Sequence, residues 1–332
     1  MEQRKILYSL LVLAVGLLLG LLVESHFIPE KSKTGSAKEE LPDKYKYNID
    51  EYKKVDSGLV IYREIKVFKT GFTEAAGLAI DKNDKIFICG DKGVRVVDHN
   101  GILLNEIISA EKITAVAVSG EGVIYAAARD RIFFGKKDFG RDFGKRGRGK
   151  GDFEYITGLK TSGDKLFIAD AGNRKVAVAD LQGKFIADIG GKDAAKGIKG
   201  FIVPSPHMDL DIDKVGNIWV ANTGLLRLEK YSVDGVFAGC WGKAGAGLDA
   251  FIGCCNPSNF VIDKNGDFVT SEKGLPRIKL YDKTGKLKGV VAPPSEFNEK
   301  CVYMALAVDS KNRVFALDSV KKMVRVFEKK QK

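Results

Sequence analysis

The 332-residue chain contains no G-x-S-x-G elbow, no H-E-x-x-H pair and no phosphate-binding glycine loop. The residue patterns of serine hydrolases, zincins and P-loop enzymes are therefore missing. Histidine is scarce, with three in the whole chain. The run Asp209-Leu210-Asp211-Ile212-Asp213 lacks the turn glycine and distal glutamate of a calcium loop. Cysteine is scarce too. Five thiols cannot all pair within one chain, and Cys89, in the apolar run KIFICG, is expected to be a buried strand residue left unpaired.

Charge is missing from residues 6–23, ILYSLLVLAVGLLLGLLV. Eighteen helical residues span about 27 Å, enough to cross a hydrocarbon core. Val23-Glu24-Ser25 makes a poor cleavage site. Residues 1–23 therefore read as an uncleaved signal anchor in the membrane, single-pass, with the rest on the extracytoplasmic (periplasmic or cell-surface) side. Residues 24–57 are polar, without hydrophobic periodicity, and read as a linker.

Residues 1–57 hold nine Lys/Arg and nine Asp/Glu, so the whole net charge of +11 belongs to residues 58–332. Its densest source is KKDFGRDFGKRGRGK, 136–150, which makes Lys136, Lys137, Arg141, Lys145, Arg146, Arg148 and Lys150 candidates for binding an anionic surface. On an exported domain the expected partners are lipid headgroups, polysaccharide or an acidic protein rather than nucleic acid.

Repetition dominates what remains. GLAIDKNDKIFI, AVAVSGEGVIYA, GLKTSGDKLFIA, MDLDIDKVGNIWVA, SNFVIDKNGDFVT and MALAVDSKNRVFALD each join two apolar runs through a polar turn. A third run and a D-x-x-G turn follow in VRVVDHNGIL, VAVADLQGKF and IKLYDKTGKL. The first turn residues, Asp81, Ser119, Ser162, Asp213, Asp263 and Asp309, lie 38, 43, 51, 50 and 46 residues apart. Four strands per repeat of this length predict an all-β, six-bladed propeller over 58–332. The last repeat lacks a fourth strand, and GLVIYREIKVF, 58–68, is expected to supply it and close the ring.

The linkers carry a family resemblance. FGKRGRGKGDFEYITGL (143–159) and IADAGNRKVAVAD (168–180) resemble the connection and the second-to-third strand element of NHL repeats, with Ile156 in place of the usual proline. ANTGLLRLEKY (221–231) and SEKGLPRIKLY (271–281) are variants of the same element. The resemblance implies a six-bladed NHL propeller of a membrane-anchored bacterial type bearing a GCCNP motif. Propellers of this kind include amidating lyases, lactonases, sensor domains and RNA-binding platforms. A lyase would need several zinc-binding histidines, and the repeat region contains only His99 and His207.

Counting back eight residues from the turn residue reaches Cys255 in blade five and Cys301 in blade six, in connections expected to rim the central channel. Cys254, Cys255, Cys301 and His207 form a candidate metal or redox set, suited to zinc or copper. A Cys254–Cys255 disulfide would be strained, because adjacent α-carbons are about 3.8 Å apart. A Cys255–Cys301 contact is the rival arrangement. Asp209, Asn222, Arg227, Asn256, Asn259, Glu272, Lys273 and Arg277 are candidate ligand-binding residues at the same mouth. Architectural roles for the two arginines, and channel water for Asp209 and Asn259, compete with that reading. The function expected is a binding scaffold for a protein or small ligand. The alternative is a redox or metal-dependent enzyme, or an electron-transfer accessory.

Overall fold

The aspartate-led turns are the local devices from which the sheets grow. Asp81 Oδ1 accepts from Asn83 N and Lys85 N at 2.8 and 2.9 Å, and Asp98 Oδ1 accepts from Asn100 N and Ile102 N at 2.8 and 2.9 Å. Such a carboxylate satisfies the turn's own amides and hands the chain back antiparallel. Asp180, Asp213, Asp263, Asp282 and Asp309 repeat the arrangement.

The computed structural model describes residues 49–331 apart from 192–194, 196–199 and 302. After a short helix, Ile49–Lys53, comes strand β1, Tyr62–Lys69. Blade one holds β2 (Ala75–Ile80), β3 (Ile86–Gly90), β4 (Gly93–Val97) and β5 (Leu103–Ile108). Blade two holds β6 (Ala115–Val118), β7 (Ile124–Ala127), β8 (Ile132–Gly135) and β9 (Arg141–Phe143). Blade three holds β10 (Ile156–Ser162), β11 (Lys165–Asp170), β12 (Lys175–Asp180) and β13 (Phe185–Ile189). Blade four holds β14 (Leu210–Ile212), β15 (Ile218–Asn222), β16 (Arg227–Tyr231) and β17 (Phe237–Trp241). Blade five holds β18 (Asn259–Ile262), β19 (Phe268–Glu272), β20 (Arg277–Tyr281) and β21 (Leu287–Ala292). Blade six has β22 (Leu306–Val308), β23 (Val314–Asp318) and β24 (Met323–Lys329). Its outer strand is β1, paired antiparallel with β24 from Tyr62↔Lys329 to Lys69↔Met323. The fold is an all-β, six-bladed propeller.

Side chains alternate across each strand, so a central strand feeds two cores. In β11, Leu166 and Ile168 pack toward blade two while Phe167 and Ala169 pack toward blade four. Six apolar clusters result, one at each blade–blade contact, the last joining Val324 and Val326 of blade six to Ile86 and Ile88 of blade one. At two inner-strand positions near the axis only a glycine fits. A Cβ on Gly77 would lie 2.8 Å from Cys89 Sγ, and one on Gly158 would lie 2.9 Å from Asp209 Oδ1.

Topology sends the β2→β3-type turns, which carry the repeat's first aspartate, to one end of the ring, here called the lower face. The turns between second and third strands and the connections between blades lie on the opposite, upper face. Among the described residues no helix is long and apolar enough to cross a membrane, and residues 6–23 lie outside them.

Candidate functional site

Polar side chains at the upper ends of the second strands act first as clasps on the chain entering each blade. Asp170 accepts from Glu154 N and Tyr155 N at 3.2 and 3.0 Å. Asn222 does the same for Ile202 N at 2.9 Å while its amide donates to Gly200 O at 3.1 Å. Glu272 accepts from Ile252 N at 3.1 Å. Their cationic neighbours complete the clasps. Arg227 donates to Glu229 at 2.6 Å. Arg277, 1% exposed, pairs with Glu272 at 2.8 Å and also donates to Gly247 O and Ala250 O. Lys279 reaches the same carboxylate at 2.6 Å, and burial pulls its ammonium down to a pKa of about 8. Asn222, Arg227, Glu272 and Arg277, candidates for ligand binding by position, thus have their polar atoms committed to holding blades in place.

A second set joins neighbouring blades at the axis. Inner strands expose backbone groups toward the channel, and buried N–H and C=O groups need partners. Thr114 Oγ1 donates to Ile156 O at 2.8 Å, Thr157 Oγ1 to Met208 O at 2.7 Å and Ser271 Oγ to Met304 O at 2.8 Å. Blades four and five add side-chain acceptors. Asp211 accepts from Ile262 N at 2.8 Å, Asp209 from Phe260 N at 3.2 Å, and Asn259 Oδ1 from Leu306 N at 2.8 Å. Asn259 Nδ2 also donates to Asp209 and, at 3.3 Å, to the Tyr303 hydroxyl. Burial raises the Asp209 carboxyl to about 7, against the lowering effect of the Phe260 N–H and Lys160. Lys160 itself pairs with Asp211 at 2.8 Å, and although desolvation opposes its charge, that carboxylate holds its pKa above the usual value. Lys160 and Asp211 face a lower recess of about 300 Å³.

The upper mouth opens into a recess of about 230 Å³ bounded by Ala76, Tyr155, Pro206, His207, Met208 and Tyr303. The rings of His207 and Tyr303 in its lining stack on each other, centroids 5.2 Å apart and 13° between planes. Desolvation, then the charge of Lys273, lowers His207 to a pKa of about 4, so the imidazole is neutral near pH 7. Tyr303, absent from the positional candidates, was reachable by the same count. It lies six residues before Asp309, as His207 lies six before Asp213.

Beside His207 the glycine-flanked cysteines meet blade four. Cys254 Sγ and Cys255 Sγ are 3.1 Å apart, Cys254 exposed and Cys255 3% exposed. Lys273 Nζ donates to Ser205 Oγ at 2.7 Å, and both groups lie near enough to Cys255 to favour its thiolate. Asn256, 1% exposed, pins this turn by accepting from Lys273 N at 2.9 Å and donating to Lys273 O at 3.0 Å and Ile252 O at 2.7 Å. Desolvation works against a Cys255 thiolate, yet Ser205, Cys254 and Lys273 leave its pKa below the ordinary thiol value.

The proposed four-residue set of Cys254, Cys255, Cys301 and His207 is not assembled. All five cysteines are free, and among the described residues no three His, Cys, Asp or Glu side chains are grouped to hold a metal ion. Cys301 instead lies in the apolar cluster between blades five and six, its sulfur 3.7 Å from Tyr303 O, and burial lifts its pKa to about 11. The equal count from the turn placed Cys255 and Cys301 at matching heights in their blades, but it could not give the direction of either side chain.

The basic stretch is also divided. All seven of its cations are exposed, but β9 separates Lys136 and Lys137, in the lower turn before it, from Lys145–Lys150 in the upper connection after it. Arg141 donates to Gln182 at 2.7 Å and lies over the Phe134 ring, and Arg146 pairs with Glu154 at 2.9 Å. Lys145, Arg148 and Lys150 remain as the upper-face group.

No protein-family model matches this chain, and no curated protein does. Solved structures share its fold. The WD40 propeller domain of Doa1 is 10% identical over 81% of this chain and 98% of its own, with a TM-score of 0.57. A streptogramin B lyase is 11% identical over 83% of this chain and all of its own, with a TM-score of 0.57. A gluconolactonase from Xanthomonas campestris is 14% identical over 83% of this chain and 94% of its own, again at 0.57. At these identities the likeness is one of β-propeller architecture.

Proposed function

We propose that this chain is an NHL-type propeller that works as a binding scaffold, tethered by residues 6–23 with its propeller on the extracytoplasmic side. Its docking point is the upper mouth, and it takes an uncharged, ring-bearing group: an aromatic side chain of a protein partner or a small cyclic ligand. The observation that carries this reading is the recess between Tyr155, His207 and Tyr303, where rings and the apolar side chains of Pro206 and Met208 surround a concavity at the axis. Binding sites combine apolar walls with a few polar groups in this way. The imidazole is neutral near pH 7, and Lys112, which also lines the recess, is paired with Glu74. The NHL assignment is supported by the strand-end motifs, whose Asp170, Asn222 and Glu272 perform one repeated structural task.

The test fills the recess. Ala76 lines it, and Ala76→Trp would occupy the space a ring needs. Partners captured by cross-linking the full chain in membranes should be lost in Ala76→Trp while the circular dichroism is unchanged. Undiminished capture by that variant would remove the mouth as the docking point. Alkaline extraction and a C-terminal compartment reporter test the tether and its orientation separately.

A further inference from the structure

We propose that Cys254 and Cys255 form a two-thiolate site for the monovalent soft cation Cu(I), with Lys273 as the built-in countercharge. Three features of the upper rim carry it. The first is juxtaposition: two free thiols stand 3.1 Å apart, one exposed and one buried, so an ion can arrive at Cys254 and be held against Cys255. The second is ligand number. No third His, Cys, Asp or Glu joins them among the described residues, which suits a cation content with few thiolate ligands better than four-coordinate zinc.

The third is charge. Binding releases both thiol protons to solvent and leaves the oxidation state of the metal unchanged: Cu(I) plus two thiols gives a dithiolate complex of net charge −1 and two protons. A divalent ion would give a neutral complex and leave the neighbouring ammonium uncompensated. A monovalent ion gives an anion that the Lys273 ammonium balances, and a charge beside the buried Cys255 needs such a partner. The position of Lys273 is fixed rather than incidental. Asn256 grips its backbone on both sides and Ser205 accepts from its Nζ at 2.7 Å. The residue that follows the two cysteines therefore locks the countercharge in place, as outer-shell groups do around metal ligands. The exposed Cys254 side chain can swing outward to widen the pair as the ion enters.

The full chain, reduced and handled without oxygen in detergent, should be titrated with Cu(I) against a colorimetric bicinchoninate competitor. One equivalent should be withdrawn from the competitor. Cys254→Ser and Cys255→Ser should each lose more affinity than the roughly ten- to hundredfold that outer partners carry, and Lys273→Gln should fall within that range. Lys273→Arg should recover part of the loss, and Cys301→Ser should behave as the wild type. Cys254→Ser is at an exposed position, so it keeps the test valid even if the buried substitution unfolds the blade. Wild-type protein that withdraws no Cu(I), or binding that survives Cys254→Ser, would overturn the site. Tighter binding by Lys273→Gln would overturn the charge argument and with it the choice of a monovalent ion.

Discussion

Asp209→Asn should abolish a specific pH dependence of stability. The carboxyl is raised by burial from 3.8 to about 7, while it accepts the Phe260 N–H at 3.2 Å and the Asn259 amide. Between those two values the folded chain binds a proton that the unfolded chain has already lost. Stability contributed by this group is therefore full below about pH 4 and is lost as pH rises through about 7. At about 1.36 kcal/mol per pKa unit, the whole effect is roughly 4 kcal/mol, and about 3 kcal/mol of it falls between pH 5 and pH 8. An asparagine keeps an oxygen for Phe260 N–H and removes the titration. Denaturant unfolding of both proteins across that range should show the wild type losing about 3 kcal/mol more than the variant, or on the order of 6 °C or more in melting temperature. Parallel profiles would show that the carboxylate is charged at no cost in the folded channel. A larger loss in the variant would show that Lys160 and the amides outweigh burial.

Other perturbations have equally direct readouts. Glu272→Ala leaves Arg277 and Lys279 buried without their carboxylate and should cost about 3–5 kcal/mol by denaturant midpoint, against a clearly smaller change for Glu154→Ala, whose arginine partners are exposed. Equal effects would deny the buried clasp its role. Removing residues 58–69 strips the outer strand from β24 and should lower the melting temperature of the whole ring, which a calorimetric scan would reveal. Maleimide labelling at pH 8 followed by mass spectrometry should modify Cys240 and Cys254 first, while Cys301, raised to about 11, and fully buried Cys89 resist. Neutralising Lys145, Arg148 and Lys150 should weaken salt-sensitive binding to anionic vesicles, and adding Lys136→Gln and Lys137→Gln should give an independent, additive loss because those two sit at the other end of β9.

The ring, its blade count and its turns were legible because each rests on short-range pattern. An aspartate that caps its own turn leaves a fixed spacing, and strands buried on both faces leave continuous apolar runs. What polar residues do at the axis was not legible. Asp209 and Asn259 stand out in sequence because neighbouring repeats carry glycine or alanine there, and that contrast looked like ligand chemistry. Their acceptors serve amides one blade away, some 50 residues distant in the chain, a pairing no local pattern encodes. The same limit applies to Lys273 and Ser205, 68 positions apart and 2.7 Å from each other. The 136–150 run shows the opposite failure. Adjacent in sequence, its cations are parted by a strand that turns them to opposite ends of the molecule.

The β1–β24 pairing also has a mechanical side. A pull on the chain ahead of Tyr62 is borne first by the contacts of Val60 and Ile61 with Val290 of blade five and then by the strand that locks the ring, whose ladder runs from Tyr62↔Lys329 to Lys69↔Met323. A load along the strand is shared in shear by the whole ladder, whereas a load across it would unzip one rung at a time. The ring should thus resist tension in one direction and give way in another. If a partner on the upper face were drawn away from a tethered chain, the direction of that pull would decide whether the propeller holds its shape or opens between blades six and one.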